Sequence, residues 1–248
     1  MKHVRAEPFQ EFARHYDRFM LRYVDYKTWV DYLERIFKRF GTRPQLILDL
    51  ACGTGIPTIM LARRGYRLLA LDRSREMLKE LERKRAELPI EPIQADMSRF
   101  ELNRQVDAAI CLYDSMNYRL TEEALAGCFG CVRRAVKRSG LFAFDMNTLY
   151  GLAECWGTRT QTRQVGNVTS IWQHSYDPTT RISTLHLTFW EEGRATQRFE
   201  EVHEERAWTV DEVGDHLRRA GFPEVHFFQH SGFQPVGPFT TRMMVVAR

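Results

Sequence analysis

The chain has 248 residues, of which 44% are hydrophobic and 27% charged, a composition typical of folded globular proteins rather than disordered ones. Its 36 basic and 32 acidic residues leave a net charge of +4, which does not indicate a nucleic-acid-binding stripe and does not exclude a local one. No apolar run reaches the roughly eighteen residues of a transmembrane helix, and residues 1–7 lack the apolar stretch of a signal peptide. Five scattered cysteines argue against a disulfide framework, so we expect a cytoplasmic protein.

Residues 8–40 have the pattern of two helices. Apolar side chains from Phe9 to Met20 recur at helical spacing. Asp25 can cap a second helix, which the pattern ends at Gly41.

The following hundred residues alternate between short apolar runs and amphipathic segments. This alternation is typical of parallel strands joined by helices that pack on both faces of one sheet. The predicted strands are Leu46–Leu50, Arg67–Leu71, Ile90–Gln94, Val106–Leu112 and Leu141–Asp145, and the predicted helices are 57–64, Ser74–Glu87 and Thr121–Arg138.

Residues 150–206 depart from that alternation. Period-two patterns separated by turn signals predict an antiparallel meander of Ser170–Tyr176, Arg181–Glu191 and Arg194–Arg206. The α/β pattern then resumes with a helix over Val210–Ala220, Gly221 as its stop, and strands at Val225–Gln229 and Met243–Ala247. We therefore predict an α/β fold, a Rossmann-like, doubly wound, mostly parallel sheet of seven strands in residues 41–149 and 207–248. An antiparallel β insertion follows the fifth strand.

Three predicted strand ends carry the residue types of a nucleotide site. The first strand leads into Asp49-Leu50-Ala51-Cys52-Gly53-Thr54-Gly55, whose small residues allow a sharp turn and a closely approaching ligand. The second strand leads into Asp72, an acid that can accept both hydroxyl protons of a ribose. The third leads into Asp96, which can accept an adenine amino group, and Met97, which offers an apolar flank. The turn lacks the third glycine of a dinucleotide fingerprint and the Lys-Ser/Thr of a phosphate loop, which argues against a pyrophosphate or triphosphate ligand.

These motifs, together with Leu71–Leu78 and Gln94–Met97, resemble those of the class I S-adenosylmethionine-dependent methyltransferases. The resemblance runs nearly end to end. Further segments resemble one bacterial subgroup that is similar to the nucleotide-sugar N-methyltransferases: Tyr16–Met20, Asp25–Trp29, Tyr113–Tyr118, Phe144–Asn147 and His203–Arg206. The resemblance implies that residues 1–40 form an N-terminal helical lid over the cofactor and that residues 150–206 cover the acceptor pocket.

The resemblance also implies a role for each matching residue toward S-adenosyl-L-methionine and its product S-adenosyl-L-homocysteine. Ala51, Cys52, Gly53, Thr54 and Gly55 would wrap the methionine part, and the carbonyl of Leu112 would accept from the ammonium group. Asp72 would bind the ribose. Arg73, Met77, Asp96 and Met97 would surround the adenine, and Tyr16, Tyr26 and Trp29 would close over the methionine side.

Several of these residues have a purely structural alternative. Asp49 can brace the turn without touching the cofactor, and Tyr26 and Trp29 can be ordinary core aromatics. Cys128 and Cys131 form a helical CxxC pair without a second ligand pair, which is more often packing than a metal site. We predict no metal.

The implied reaction is an in-line displacement of the methyl group by a nitrogen or oxygen nucleophile, for which alignment and exclusion of water matter most. Asp114, Asn117 and Tyr118 follow the fourth strand and are the first candidates for positioning or deprotonating the acceptor. His203, Glu205 and Arg206, at the end of the meander, are second candidates. Sugar N-methyltransferases have a histidine at the position of Tyr118, which argues against an amino sugar, and Asn117-Tyr118 is not the Asn-Pro-Pro-Tyr of adenine N6-methyltransferases.

The predicted partner is a small-molecule methyl acceptor, because a sheet folded over the strand ends would enclose it. An RNA or protein acceptor remains an alternative that clustered arginines near the cofactor would favour. The non-enzymatic alternative is a sensor that binds the cofactor only.

Overall fold

Two β-sheets organise the chain, and the computed structural model describes residues 2–193 and 197–248. The strands are β1 (Lys2–Ala6), β2 (Leu46–Leu50), β3 (Arg67–Asp72), β4 (Ile90–Gln94), β5 (Val106–Cys111), β6 (Val136–Asn147), β7 (Arg159–Val165), β8 (Val168–Asp177), β9 (Ile182–Glu191), β10 (Gln197–Arg206), β11 (Val225–Gln229) and β12 (Arg242–Ala247). The helices are α1 (Ala13–Tyr23), α2 (Tyr26–Arg39), α3 (Ile56–Arg63), α4 (Arg75–Arg85), α5 (Glu122–Ala135) and α6 (Val210–Ala220).

The larger sheet has seven strands in the order β11-β12-β6-β5-β2-β3-β4. Strands β2 to β6 run parallel, and β12 pairs antiparallel with both β6 and β11. The predicted fold class, a doubly wound, mostly parallel sheet of seven strands, is confirmed. Since β2 lies inside the sheet, its side chains are buried on both faces, with Leu48 and Leu50 in one apolar cluster and Ile47 in the other. Helices α5 and α6 cover the first face, and α2, α3 and α4 cover the second.

Local signals set the helix ends as predicted in most places. The Asp25 side chain accepts from the N–H of Thr28 at the start of α2, and Ser74 caps α4 in the same way. Gly221 ends α6 with a φ of 99°, in the left-handed region that glycine tolerates. Helix α5 is shorter than predicted, because the chain turns extended at Val136 and β6 begins there rather than at Leu141.

The smaller sheet has the order β1-β10-β9-β8-β7. The predicted meander is confirmed as β8, β9 and β10, although Arg194, its predicted third start, lies outside the described residues. Two strands were not predicted. Strand β7 is largely polar and carries no apolar alternation, and β1 pairs parallel with β10, far away in the sequence. The N-terminal segment is therefore not only helical, because its first strand belongs to the inserted sheet.

Helix α1 packs against this smaller sheet through a third apolar cluster. Phe12 and Phe19 contact Val165, Val168, Leu187 and Phe189 there. The two sheets and α1 thus surround the ends of the parallel strands. Among the described residues, we find no helix with both the length and the apolarity needed to cross a bilayer.

Candidate active site

A cavity of about 220 Å³ lies at the carboxyl ends of the parallel strands, many times the ~10–15 Å³ that one water molecule needs. Its walls come from the turn after β2, the ends of β3, β4 and β5, helix α1, and the inward face of the smaller sheet. The predicted residues on these walls are Tyr16, Tyr26, Ala51, Cys52, Gly53, Thr54, Asp72, Arg73, Met77, Asp96, Met97, Leu112, Asp114, Tyr118, His203 and Glu205.

The turn between β2 and α3 forms the floor of the cavity. Gly53 and Gly55 both adopt positive φ, and a Cβ on Gly55 would lie 2.3 Å from the Leu81 side chain. Gly55 therefore lets α3 and α4 pack closely, and it does not line the cavity. Asp49 is buried, accepts a 2.6 Å hydrogen bond from the Thr58 hydroxyl and also reaches the cavity wall. Burial, with the nearby charge of Asp72, raises the pKa of Asp49 to about 7.

Asp72 joins the end of β3 to this turn. Its two oxygens accept hydrogen bonds of 2.8 Å from the N–H groups of Gly53 and Ser74. Burial raises the pKa of Asp72, and the hydrogen bonds from Ser74 and Gly53 offset this only in part. The carboxylate is thus held rigidly at the cavity wall, where one predicted role is to bind two ribose hydroxyls.

Asp96 occupies the corresponding place at the end of β4. It accepts a 2.7 Å hydrogen bond from the N–H of Ser98 and pairs with Arg119 at 3.2 Å. Partial burial opposes its ionised form, but the Ser98 hydrogen bond and the Arg119 charge outweigh that effect, so the pKa of Asp96 lies below its ordinary value. With Met77 and Met97 beside it, this part of the wall offers an acceptor next to an apolar surface.

The predicted lid residues divide into two groups. Tyr16 and Tyr26 both lie on the cavity wall, where burial raises the pKa of each hydroxyl. Trp29 lies outside the cavity. The centroid of its ring is 4.1 Å from that of His230 and 5.3 Å from that of Tyr113. The structure therefore places Trp29 behind the wall rather than on it. Asp17 of α1 ties the lid to the larger domain, since it accepts hydrogen bonds from Thr54 and Lys84.

One side of the cavity, next to the smaller sheet, contains three side chains in a row. The hydroxyl oxygen of Tyr118 is 3.1 Å from Nδ1 of His203, and Nε2 of His203 is 3.2 Å from Oε2 of Glu201. His203 and Glu201 are almost fully buried. Tyr118 and His203 line the cavity, and the ring of Phe9 packs against both, with centroids 5.6 and 4.7 Å away.

A second polar cluster lies beside this row. Arg242 forms salt bridges with Asp145 and, at 3.3 Å, with Asp114. The Asn147 amide donates hydrogen bonds of 2.7 Å to Asp114 and 2.8 Å to Glu205. Burial, followed by the charge of Asp114, raises the pKa of Glu205 to about 8. This side of the cavity therefore contains a carboxyl group that readily takes up a proton near neutral pH.

Two predicted catalytic candidates lie away from the cavity. Asn117 is fully buried; its amide nitrogen donates to the carbonyls of Asn147 and Arg206, and its oxygen accepts from the N–H of Asn147. The Arg206 side chain donates to the Leu120 carbonyl and stacks over the Trp208 ring at 3.9 Å. Neither side chain lines the cavity, so the structure does not bring either of them into the candidate site.

Phe9, Glu201 and Arg242 are among the residues of this site that sequence reasoning missed. A signal existed for Glu201, because it alternates with His203 and Glu205 on one face of β10. No local signal marks Arg242, whose role depends on the pairing of β12 with β6.

Comparisons with known proteins agree with this geometry. A family model described as a methyltransferase domain matches residues 47–140. The Bacillus subtilis (strain 168) protein YqeM, whose name places it among the methyltransferases, is 34% identical over 219 residues, or 86% of each chain. A crystal structure of an S-adenosylmethionine-dependent methyltransferase from Clostridium acetobutylicum superimposes with a TM-score of 0.84 at 28% identity, over 96% of this chain and 97% of that chain. The sugar N-methyltransferase KedS8 from a Streptoalloteichus species shares the fold, with a TM-score of 0.73 at 23% identity over 94% of this chain and 91% of that chain.

The strand order, the cavity at the ends of the parallel strands and the similarity to YqeM over 86% of each chain indicate one family. The chain belongs to the class I S-adenosylmethionine-dependent methyltransferases.

Proposed function

We propose that this enzyme methylates an amine nitrogen of a small molecule that is enclosed between the two sheets. The observation that carries the proposal is Glu205, a buried carboxyl group on the cavity wall. Arg242 pairs with Asp114 and Asp145, and Glu205 has no salt-bridge partner within residues 2–193 and 197–248. An ammonium group on the acceptor would supply the missing positive charge, which a hydroxyl group cannot do.

The cofactor residues support a single orientation of S-adenosylmethionine. Asp72 would accept from the ribose hydroxyls, and Asp96 with Met77 and Met97 would surround the adenine. Residues 51–54, Leu112, Tyr16 and Tyr26 would enclose the methionine part. When bound, the cofactor supplies a methyl carbon already activated by a sulfonium, so the chain has to align the acceptor and exclude water.

We assign complementary covering roles to the N-terminal lid and the inserted sheet. Residues 1–40 cover the cofactor side, and residues 150–206 cover the acceptor side. Tyr118, His203, Glu205 and Asp114 lie between these two covers, beside the predicted methyl group. Enclosure on this scale favours a small acceptor over RNA or a folded protein, both of which need an open cleft. KedS8 is a sugar N-methyltransferase, but at 23% identity its likeness to this chain supports only the fold.

A panel of acceptors tests the proposal. The purified enzyme is incubated with methyl-labelled S-adenosylmethionine and with primary amines, including amino acids, polyamines and amino sugars, each beside the alcohol of the same skeleton. We expect label transfer to amines and not to the matched alcohols.

Matched variants test the role of Glu205. Glu205→Gln keeps the shape but cannot ionise when the ammonium group binds; the loss of a charge-assisted hydrogen bond of about 1.5–3 kcal/mol should raise KM for the amine by roughly 10- to 150-fold. Glu204→Gln, an exposed neighbour on the other face of β10, is the control and should behave as wild type. Equal transfer to alcohols, or an unchanged KM in Glu205→Gln, would contradict the amine assignment.

A further inference from the structure

We infer that Glu201 is a positioning residue that fixes the tautomer of His203 and so completes a proton relay from the acceptor through Tyr118 to His203. The inference rests on the proposed function for the identity of the group that loses the proton. Its geometric basis is the row of Tyr118, His203 and Glu201, whose successive polar atoms lie 3.1 and 3.2 Å apart.

Backbone N–H groups of the N-terminal lid hold the Glu201 carboxylate in place. Its Oε1 accepts from the N–H groups of Gln10, Glu11 and Phe12 at 3.2, 2.9 and 2.9 Å, and its Oε2 accepts from Phe9 at 2.9 Å. Both oxygens therefore act as acceptors, as an ionised carboxylate does. Because the side chain is buried and its position is set by four backbone groups, it has little freedom to turn away from His203.

This arrangement selects one tautomer of His203. An oxygen that only accepts requires a donor on the facing nitrogen, so the His203 proton resides on Nε2. Nδ1 is then an acceptor, and the Tyr118 hydroxyl donates to it. The lone pairs on the Tyr118 oxygen remain available to the acceptor in the cavity.

The relay moves one proton with every atom accounted for. The acceptor ammonium gives a proton to the Tyr118 oxygen, while the Tyr118 hydroxyl proton passes to Nδ1 of His203. The products are a neutral amine with a free lone pair, an unchanged tyrosine, and an imidazolium beside the Glu201 carboxylate. The Glu201 carboxylate lies 3.2 Å from this imidazolium and offsets its positive charge.

The same contacts link the relay to the cofactor side of the site through Phe9. Phe9 has a φ of 64°, a left-handed conformation that a bulky side chain rarely adopts. It is held at both ends, by Glu201 at its N–H and by the Ser74 hydroxyl, which donates a 2.8 Å hydrogen bond to its carbonyl. Ser74 caps the helix that follows Asp72, so one lid residue links the cofactor side to the relay.

The tautomer is measured directly by nitrogen NMR on the full-length protein. The eight histidines are labelled with ¹⁵N, S-adenosylhomocysteine is added, and His203 is assigned by its absence in His203→Gln. We expect the Nε2–H form in wild type. In Glu201→Gln the amide group can donate toward Nε2, so the proton should move to Nδ1; Glu204→Gln should leave it on Nε2.

Kinetics with the best amine of the panel supply the second readout. We expect Glu201→Gln to lower kcat by roughly ten- to a thousandfold, with affinity for S-adenosylhomocysteine within about threefold of wild type. Adding Tyr118→Phe to Glu201→Gln should cost little more, because both act on one relay.

An Nδ1–H tautomer in wild type, or the same tautomer in wild type and Glu201→Gln, would overturn the inference. A loss of cofactor affinity without a change in kcat would instead make Glu201 only an anchor for the lid. The NMR result does not need an acceptor, so it stands or falls separately from the amine assignment.

Discussion

The carboxylate of Asp72 accepts a 2.8 Å hydrogen bond from the backbone N–H of Gly53, so the acid that ends β3 also braces the turn after β2. Asp72→Ala removes this bond, the bond from Ser74 and the expected ribose contacts. Since hydrogen bonds to a charged acceptor contribute about 1.5–3 kcal/mol each, affinity for S-adenosylhomocysteine should fall at least tenfold by calorimetry. The affinity of Asp72→Asn, which keeps one accepting oxygen, should lie between those of wild type and Asp72→Ala. Unchanged affinity in a folded Asp72→Ala variant would refute the ribose assignment.

Variants of Tyr118 can distinguish a role of its hydroxyl in the reaction from a role of its ring in packing. Burial raises the pKa of Tyr118 well above its ordinary value, so it does not act as a free phenolate at neutral pH. We expect Tyr118→Phe to lower turnover by roughly ten- to a thousandfold, with little effect on cofactor affinity. Tyr150→Phe, outside the cavity wall, is the control. Normal turnover in Tyr118→Phe together with impaired Tyr118→Ala would show that the ring only packs.

We expect Asn117 to contribute to the stability of the fold rather than to turnover of the substrate. Asn117→Ala leaves the carbonyls of Asn147 and Arg206 and the N–H of Asn147 without this partner in a buried position. At about 1–3 kcal/mol for an unsatisfied buried group, and roughly 2–4 °C per kcal/mol for a chain of this size, Tm should fall by at least several degrees. Calorimetric scans and S-adenosylhomocysteine titrations measure both quantities. A normal Tm with lost turnover would return Asn117 to the catalytic candidates.

Asp49 should make stability depend on pH. Its pKa is raised to about 7 by burial, whereas an unfolded aspartate titrates near 3.9. The folded chain therefore keeps a proton that the unfolded chain releases, so this stability is complete below about pH 4 and is lost as the pH rises to about 7, by up to about 1.4 kcal/mol per unit.

Asp49→Asn has no proton to lose at this position. Between about pH 5 and 7.5 its Tm should therefore fall less than that of wild type, by several degrees at roughly 2–4 °C per kcal/mol. Thr58→Val, which removes the hydrogen bond to Asp49, should steepen the wild-type trend. Parallel curves for wild type and Asp49→Asn would contradict the assigned protonation.

The larger sheet, and the positions of Asp72 and Asp96 at the ends of its strands, could be predicted from the amino-acid sequence. Strands such as Leu46–Leu50 are apolar runs whose buried state follows from local pattern, and the carboxyl ends of parallel strands meet at one edge. Asp72 and Asp96 could therefore be placed together from their positions at strand ends. Strand β7 escaped this reasoning because its residues are mostly polar, and β1 because its partner is remote in the chain.

Which side chains face the cavity depends on tertiary contacts that the local sequence does not reveal. Asn117 and Tyr118 are adjacent in sequence, yet one joins backbone groups in the interior and the other faces the cavity, because a tight helical turn points them in different directions. Glu201 and Arg242 act through partners from distant segments, the lid backbone and the carboxylates of Asp114 and Asp145. Local propensity reports on neighbours within a few residues, whereas these buried charges are placed by pairings that form only when the two sheets and the lid come together.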